Sequence, residues 1–283
     1  MYANQCIDAL KEFKSSHDPN VNIDMIDHIT QGIIDSHKFH FDSYDEIKNL
    51  VKNTLEQHFE TVKEYIVLPY KKVWFDYDFT KDPKNICVNI IENLTNVGFY
   101  IEQREGMWCC FNFMKIDGKW RTGSCIFKFN PKTLDGKISV ESFTQYFDNA
   151  ISAADEEIKT ALTIILRIYL GIIVVSCLFL SCKNVFLEKI NPPQKLNKAR
   201  LKRGKSVGYS YHVLKVRTIN KDGKEVSGVS GEHNKIHYCR SHFKFYTKEK
   251  PLFGKYVGTW LWQSHLRGQN KNGFADKDYI VGK

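Results

Sequence analysis

Apolar residues recur at helical spacing along the first part of the chain. Ile7, Leu10 and Phe13 form one stripe, and Ile23, Ile26, Ile29, Ile33 and Ile34 form a second. A third helix is expected from a cap at Asp42 or Ser43 through Ile47, Leu50, Val51 and Leu55. Residues 1–65 therefore read as a helical region whose stripes are packing faces. From Tyr65 the period changes to two. VLPYKKVWFDYDF sets Val73, Phe75, Tyr77 and Phe79 on one face, and a short helix is expected around 86–94. FYIEQ, MWCCFNFMKI and WRTGSCIFKF follow as antiparallel strands joined by turns at Glu105-Gly106 and Asp117-Gly118. Cys109, Cys110 and Cys125 fall inside these strands and read as core thiols.

A long helical segment is expected to begin near Ser142 and run into ALTIILRIYLGIIVVSCLFLSC, residues 161–182. Those 22 residues, at about 1.5 Å each, match a bilayer core of about 30 Å. Arg167 interrupts the stretch, its uncharged run over 168–182 is 15 residues long, and no aromatic belt brackets it. A helix buried on all sides gives the same pattern and is the preferred reading, with membrane insertion as the alternative. Asn191-Pro192-Pro193 is expected to end that helix. QKLNKARLKRGKSVGYS then reads as a basic linker or arm, and the tail from Tyr211 as strands: HVLKVRTI, KIHYCRSHFKFY and GTWLWQSHLRG. The expected fold class is α+β. Its parts are a helical region (1–65), an antiparallel sheet with a long buried apolar helix (66–190) and a basic β-rich tail (191–283).

Charge sharpens this division. The net charge is +9, but residues 1–150 carry 17 Lys+Arg against 22 Asp+Glu, while 191–283 carry 20 against 6. A basic tail of this kind attracts polyanions. With 283 residues and 42% hydrophobic content, a disordered chain is excluded. Eight cysteines without a CxxC pair exclude a disulfide scaffold and a paired-thiolate zinc site. His233, His237 and Cys239 have no further thiolate nearby and no HExxH arrangement, so no metal is expected. GxxxxGK[ST] and GxGxxG are both missing, so no cofactor is expected either. The first residues lack a basic segment followed by an apolar run, which points to a cytoplasmic protein.

Alternation in the tail picks out candidate chemistry. In KIHYCRSHFKFY, Cys239, Ser241, Phe243 and Phe245 share one face, and Arg240, His242, Lys244 and Tyr246 share the other. In GTWLWQSHLRG, Trp260, Trp262, Ser264 and Leu266 lie opposite Gln263, His265 and Arg267. If the strands pair with His242 and His265 on one face, one neutral imidazole can take a ribose proton while a protonated one serves the leaving oxygen. Arg240, Lys244 and Arg267 would hold the phosphate, without a metal. The same residues suit RNA binding without chemistry, with Tyr246, Trp260 and Trp262 as stacking surfaces.

The segments 237–244, 258–260 and 265–268 resemble the C-terminal signature HxxRGHWR…W…P.xxG of a family carried by phages and mobile elements, which includes a type V-A anti-CRISPR protein. An apolar helix like that over 162–180 stands upstream of the signature in that family. Leu68-Pro69 with Trp74-Phe75-Asp76 is similar to an earlier strand motif, with one more residue between Pro and Trp. Ser241 stands in place of the usual Gly and Lys244 in place of a common Arg, and residues 251–254 lengthen the connection between the strands. The resemblance implies a host-takeover or counter-defence factor inside a bacterial cell. It would lower a target's expression through the nascent chain and messenger RNA, with the helical front choosing a host or defence protein. The leading expectation is thus an RNA-directed factor, in one form a metal-independent endoribonuclease. The alternatives are a non-catalytic protein- or nucleic-acid-binding module and a membrane-associated phage protein.

Overall fold

A computed structural model describes residues 2–16, 22–41, 59–80, 91–133, 139–141, 156–217, 237–239, 242–262 and 265–267, with 219, 222 and 224. For 123–126, 139–141, 156–159, 161–162, 237–239 and 265–267 the description is of the backbone. The expected helix from 42 or 43 to 55, residues 86–90 of the one expected around 86–94, and the start of the long helix near Ser142 lie outside these residues, while 91–93 form a turn leading into a strand at Leu94 instead of a helix.

The described chain is α+β, with five α-helices and a mixed, mostly antiparallel sheet. The order opens with α1 (Ala3–Lys14), α2 (Ile23–Asp35), β1 (His37–Phe41), α3 (Phe59–Val62) and β2 (Lys72–Asp78). The strands β3 (Leu94–Arg104), β4 (Met107–Ile116), β5 (Lys119–Phe129) and β6 (Ser139–Glu141) follow. Next come α4 (Glu156–Ser181), β7 (Val185–Ile190), α5 (Gln194–Lys202) and β8 (Tyr211–Val216). One eight-stranded sheet runs β6-β5-β4-β3-β2-β1-β8-β7, so it draws strands from all three regions read in the sequence. Its β1 pairs in parallel with both β2 and β8, and its other neighbours are antiparallel.

The β3–β4 and β4–β5 turns form as their residues dictate. Glu105 and Gly106 take φ of 49° and 79°, and Asp117 and Gly118 take 51° and 75°. Two consecutive left-handed residues make the turn whose twist matches antiparallel strands. Alternation on β2 divides the core. Val73, Phe75, Tyr77 and Phe79 pack with α4, whereas Trp74 joins Ile7, Leu10, Ile26, Ile29 and Ile33 from α1 and α2. Helices therefore cover both sheet faces, which explains why β2 is buried along nearly its whole length. Each large apolar side chain buried in this way contributes roughly 1.5–3 kcal/mol.

Within α4, residues 163–181 have a mean hydropathy of 2.4 and are 67% buried. Residues 172–175 and Cys177 are fully shielded, and Tyr169 packs edge-on against Phe99. The Ser176 hydroxyl satisfies itself on the carbonyl of Ile172 at 2.8 Å and meets Tyr77 Oη at 2.7 Å. A spanning-length apolar helix thus forms the protein's own core.

Three expectations are corrected. Residues 37–41 are a strand inside the region read as helical. The long helix ends at Ser181, and Pro192-Pro193 terminates β7 instead. The basic stretch after the prolines contains helix α5, docked on α1 by Arg200 Nη2 to Asp8 Oδ2 at 2.9 Å and by the Ser206 N–H donating to Asp8 Oδ1 at 2.8 Å.

Candidate nucleic-acid interface

The tail folds back on α4 as a hairpin of β10 (His242–Tyr246) and β11 (Gly258–Trp262). Its connection closes through a turn in which Phe253 and Gly254 have φ of 51° and 73°. Register decides what this hairpin presents. His242 pairs with Trp262, Lys244 with Trp260 and Tyr246 with Gly258, so these residues share one face. Phe243 and Phe245, with Leu261 and Thr259 opposite, share the other. That second face is glued to the core. Phe243 meets Phe179 of α4 edge-on at 5.4 Å, Phe245 lies 5.6 Å from Tyr65, and Leu261 is 4% exposed.

A single asparagine anchors the hairpin. Asn184 Nδ2 donates to the Leu261 carbonyl at 2.7 Å, and the Leu261 N–H donates to Asn184 Oδ1 at 2.9 Å. The side chain therefore imitates a neighbouring strand, while the Lys183 N–H donates to the Thr259 carbonyl at 2.9 Å. Nothing in the local sequence flags Asn184. Its partner lies 77 positions away.

The outward face is cationic and aromatic. His242 and Lys244 are exposed, and the Lys244 ammonium sits 5.3 Å from the Tyr246 ring centre. Within 242–262 four lysines stand against one acid, Glu249. Hydrogen bonds from the Thr247 hydroxyl and from its own backbone hold that carboxyl below its usual value. Trp260 is 7% exposed and lies 5.5 Å from the Tyr256 ring, so of the three expected stacking side chains it offers the least open surface. The indole N–H groups of Trp260 and Trp262 are both shielded and lack an acceptor among the described residues. Two such donors side by side are unusual, because buried polar atoms nearly always find partners.

The remaining candidates are placed differently. β12 (His265–Arg267) pairs with β9 (His237–Cys239), which sets His265 across from Cys239 and Arg267 across from His237. His242 faces Trp262 across its ladder, not His265. The side chains of His265 and Arg267, and all of Arg240, lie outside the description.

Burial pushes the thiols of Cys6, Cys110, Cys177 and Cys182 well above their ordinary value, so they remain protonated. Among the described residues no three His, Cys, Asp or Glu side chains gather as a metal site requires. Comparison with family models, with curated proteins and with solved structures finds no match.

Proposed function

We propose that this chain is an RNA-binding counter-defence factor of a phage or mobile element, acting in the cytoplasm of a bacterial host, with the β10–β11 hairpin holding the RNA. The observation that carries this reading is the hairpin's outer face. His242, Lys244 and Tyr246 share it with Trp262. A single strand supplies what such a face needs. Its bases offer planes to Tyr246 and Trp262, and its phosphates meet Lys244 and His242. The resemblance of the same segments to a phage signature supports the biological setting. Under that setting the helical front selects a host or defence protein and the RNA is a messenger.

Binding is favoured over cleavage. Acid–base cleavage calls for two imidazoles directed at one phosphodiester, whereas His242 has Trp262 as its direct cross-strand partner. Fluorescence anisotropy with a labelled single-stranded RNA tests the proposal. A Lys244→Gln/Tyr246→Ala variant should lose at least tenfold in affinity while melting like the parent. Unchanged affinity in that variant, or no RNA binding by the parent, would overturn it. Incubating the same RNA with protein and EDTA, then with a His242→Ala variant, reports on cleavage. Cleavage by the parent that the variant loses would restore the endoribonuclease reading.

A further inference from the structure

On the sheet face away from the hairpin, a cleft of about 350 Å³ opens between α2 and the strands β3, β4 and β5. We propose that this cleft binds a nucleoside monophosphate, with the phosphate at Arg104 and Lys128 and the base over Met25 and Phe111. The proposal is independent of the hairpin's role.

The cleft's wall is built around a buried charge. Glu102 on β3 is 4% exposed. Its Oε2 accepts from the Tyr100 hydroxyl at 2.8 Å, and His28 Nε2 lies 2.9 and 3.2 Å from its two oxygens. Arg104 Nη2 pairs with its Oε1 and approaches His28 Nε2 at 2.5 Å. Burial works to raise the Glu102 carboxyl. Hydrogen bonds from His28 and Tyr100, with the charges of His28 and Arg104, outweigh burial and hold it below its ordinary value. Tyr100 reaches this position because residue 32 is glycine, where a Cβ would lie 2.2 Å from the Tyr100 hydroxyl oxygen.

Such a network adds little stability compared with apolar packing of the same volume. Its evident effect is to fix an imidazole and a guanidinium at the wall of a cleft. Arg104 commits Nη2 inward and is half exposed, so the rest of its planar fork is available to an oxyanion. Lys128, on β5, lines the same space and adds a second cation. The lining also holds Asp24, a carboxylate that accepts, and Asn22, whose amide oxygen is already occupied by the Met25 N–H at 3.0 Å. Met25 and Phe111 form the apolar part of the lining.

The lining thus combines two cations, an apolar surface and a carboxylate. A nucleoside monophosphate carries a group for each: an anion, a flat body and N–H donors. An inorganic anion lacks the body, and a neutral apolar ligand brings no charge to the cations. The volume falls within the range of small-molecule sites.

Isothermal titration calorimetry on the full chain provides the test, with adenosine and guanosine monophosphates, inorganic phosphate, and a trinucleotide with either a 5′-phosphate or a 5′-hydroxyl. At least one nucleoside monophosphate should bind ten times or more tightly than inorganic phosphate. Preference for the phosphorylated trinucleotide over the free nucleotides would identify the source as an RNA end, and the reverse would identify a free nucleotide. Lys128→Gln, which leaves the Glu102 network intact, should weaken binding at least fivefold. Glu102→Gln/Arg104→Gln, which removes both charges of the pair together, should weaken it more. No heat with any nucleotide, equal affinity for inorganic phosphate, or unchanged affinity in Lys128→Gln would overturn the proposal.

Discussion

Replacing Asn184 by alanine isolates the contact that holds the hairpin to the body of the protein. The amide satisfies the N–H and the C=O of Leu261, a residue that is 4% exposed. Each buried main-chain group left without a partner costs about 1–3 kcal/mol, so two give about 2–6 kcal/mol. Water reaching the hairpin edge recovers part of this, and about 2–4 kcal/mol is expected. At about 2–4 °C per kcal/mol for a domain approaching this size, Tm should fall by roughly 4–16 °C. Hydrogen exchange supplies the local reading. A loss of 2 kcal/mol corresponds to about a 30-fold drop in protection of the Leu261 amide. RNA affinity should fall with it, because the outer face loses its support. If Tm drops by less than about 2 °C and the Leu261 amide stays protected, the amide clamp is not what fixes the hairpin.

Gly32→Ala should destabilise by roughly 1–3 kcal/mol in a urea titration, because the new methyl displaces Tyr100 from Glu102. Lys38 donates to the carbonyls of Ile34 and Ser36 at 3.0 and 2.8 Å. Burial lowers its ammonium from 10.5 to about 8 against the opposing pull of Asp35. The unfolded chain thus holds more protons than the native state between about pH 8 and 10.5, so stability should rise with pH across that window. Lys38→Met should flatten the rise in denaturant melts at pH 7.5 and 10. On α5, Lys195, Lys198 and Lys202 occupy one exposed helix face, held in place by the Arg200–Asp8 pair on another. If they touch phosphates, changing all three to Gln should reduce the slope of log affinity against log salt by about 2, at about 0.7 per single-strand contact.

What the chain reveals locally and what it conceals have physical causes. The Asp117-Gly118 turn and the alternation from Val73 to Phe79 are written in neighbouring residues, and both appear as expected. The α4 pattern also reads correctly, because Arg167 and the short uncharged run argue for burial. β1 is concealed because it is a five-residue strand with both neighbours parallel, and the isoleucines of α2 run straight into it. Lys38, an unlikely residue for a buried strand, is tolerated only because carbonyls near the end of α2 receive its ammonium. α5 is concealed because its docking partner, Asp8, lies 192 positions away. At the candidate site, alternation assigns faces within each strand but not the phase between strands. The ladders pair His242 with Trp262 and His265 with Cys239, a detail no single strand encodes. The cleft escapes notice for the same reason, since His28 and Glu102 are 74 positions apart.

The role proposed for the β10–β11 hairpin is to hold single-stranded RNA on its outer face. Ultraviolet cross-linking of the intact protein to a photoreactive RNA, followed by mass spectrometry of the joined peptides, addresses it most directly. Adducts concentrated on Tyr246 and Trp262 and on peptides containing Lys244, and suppressed by excess unlabelled RNA, are the expected result. Adducts spread over α5 and the sheet edges, with none on the hairpin, would contradict it.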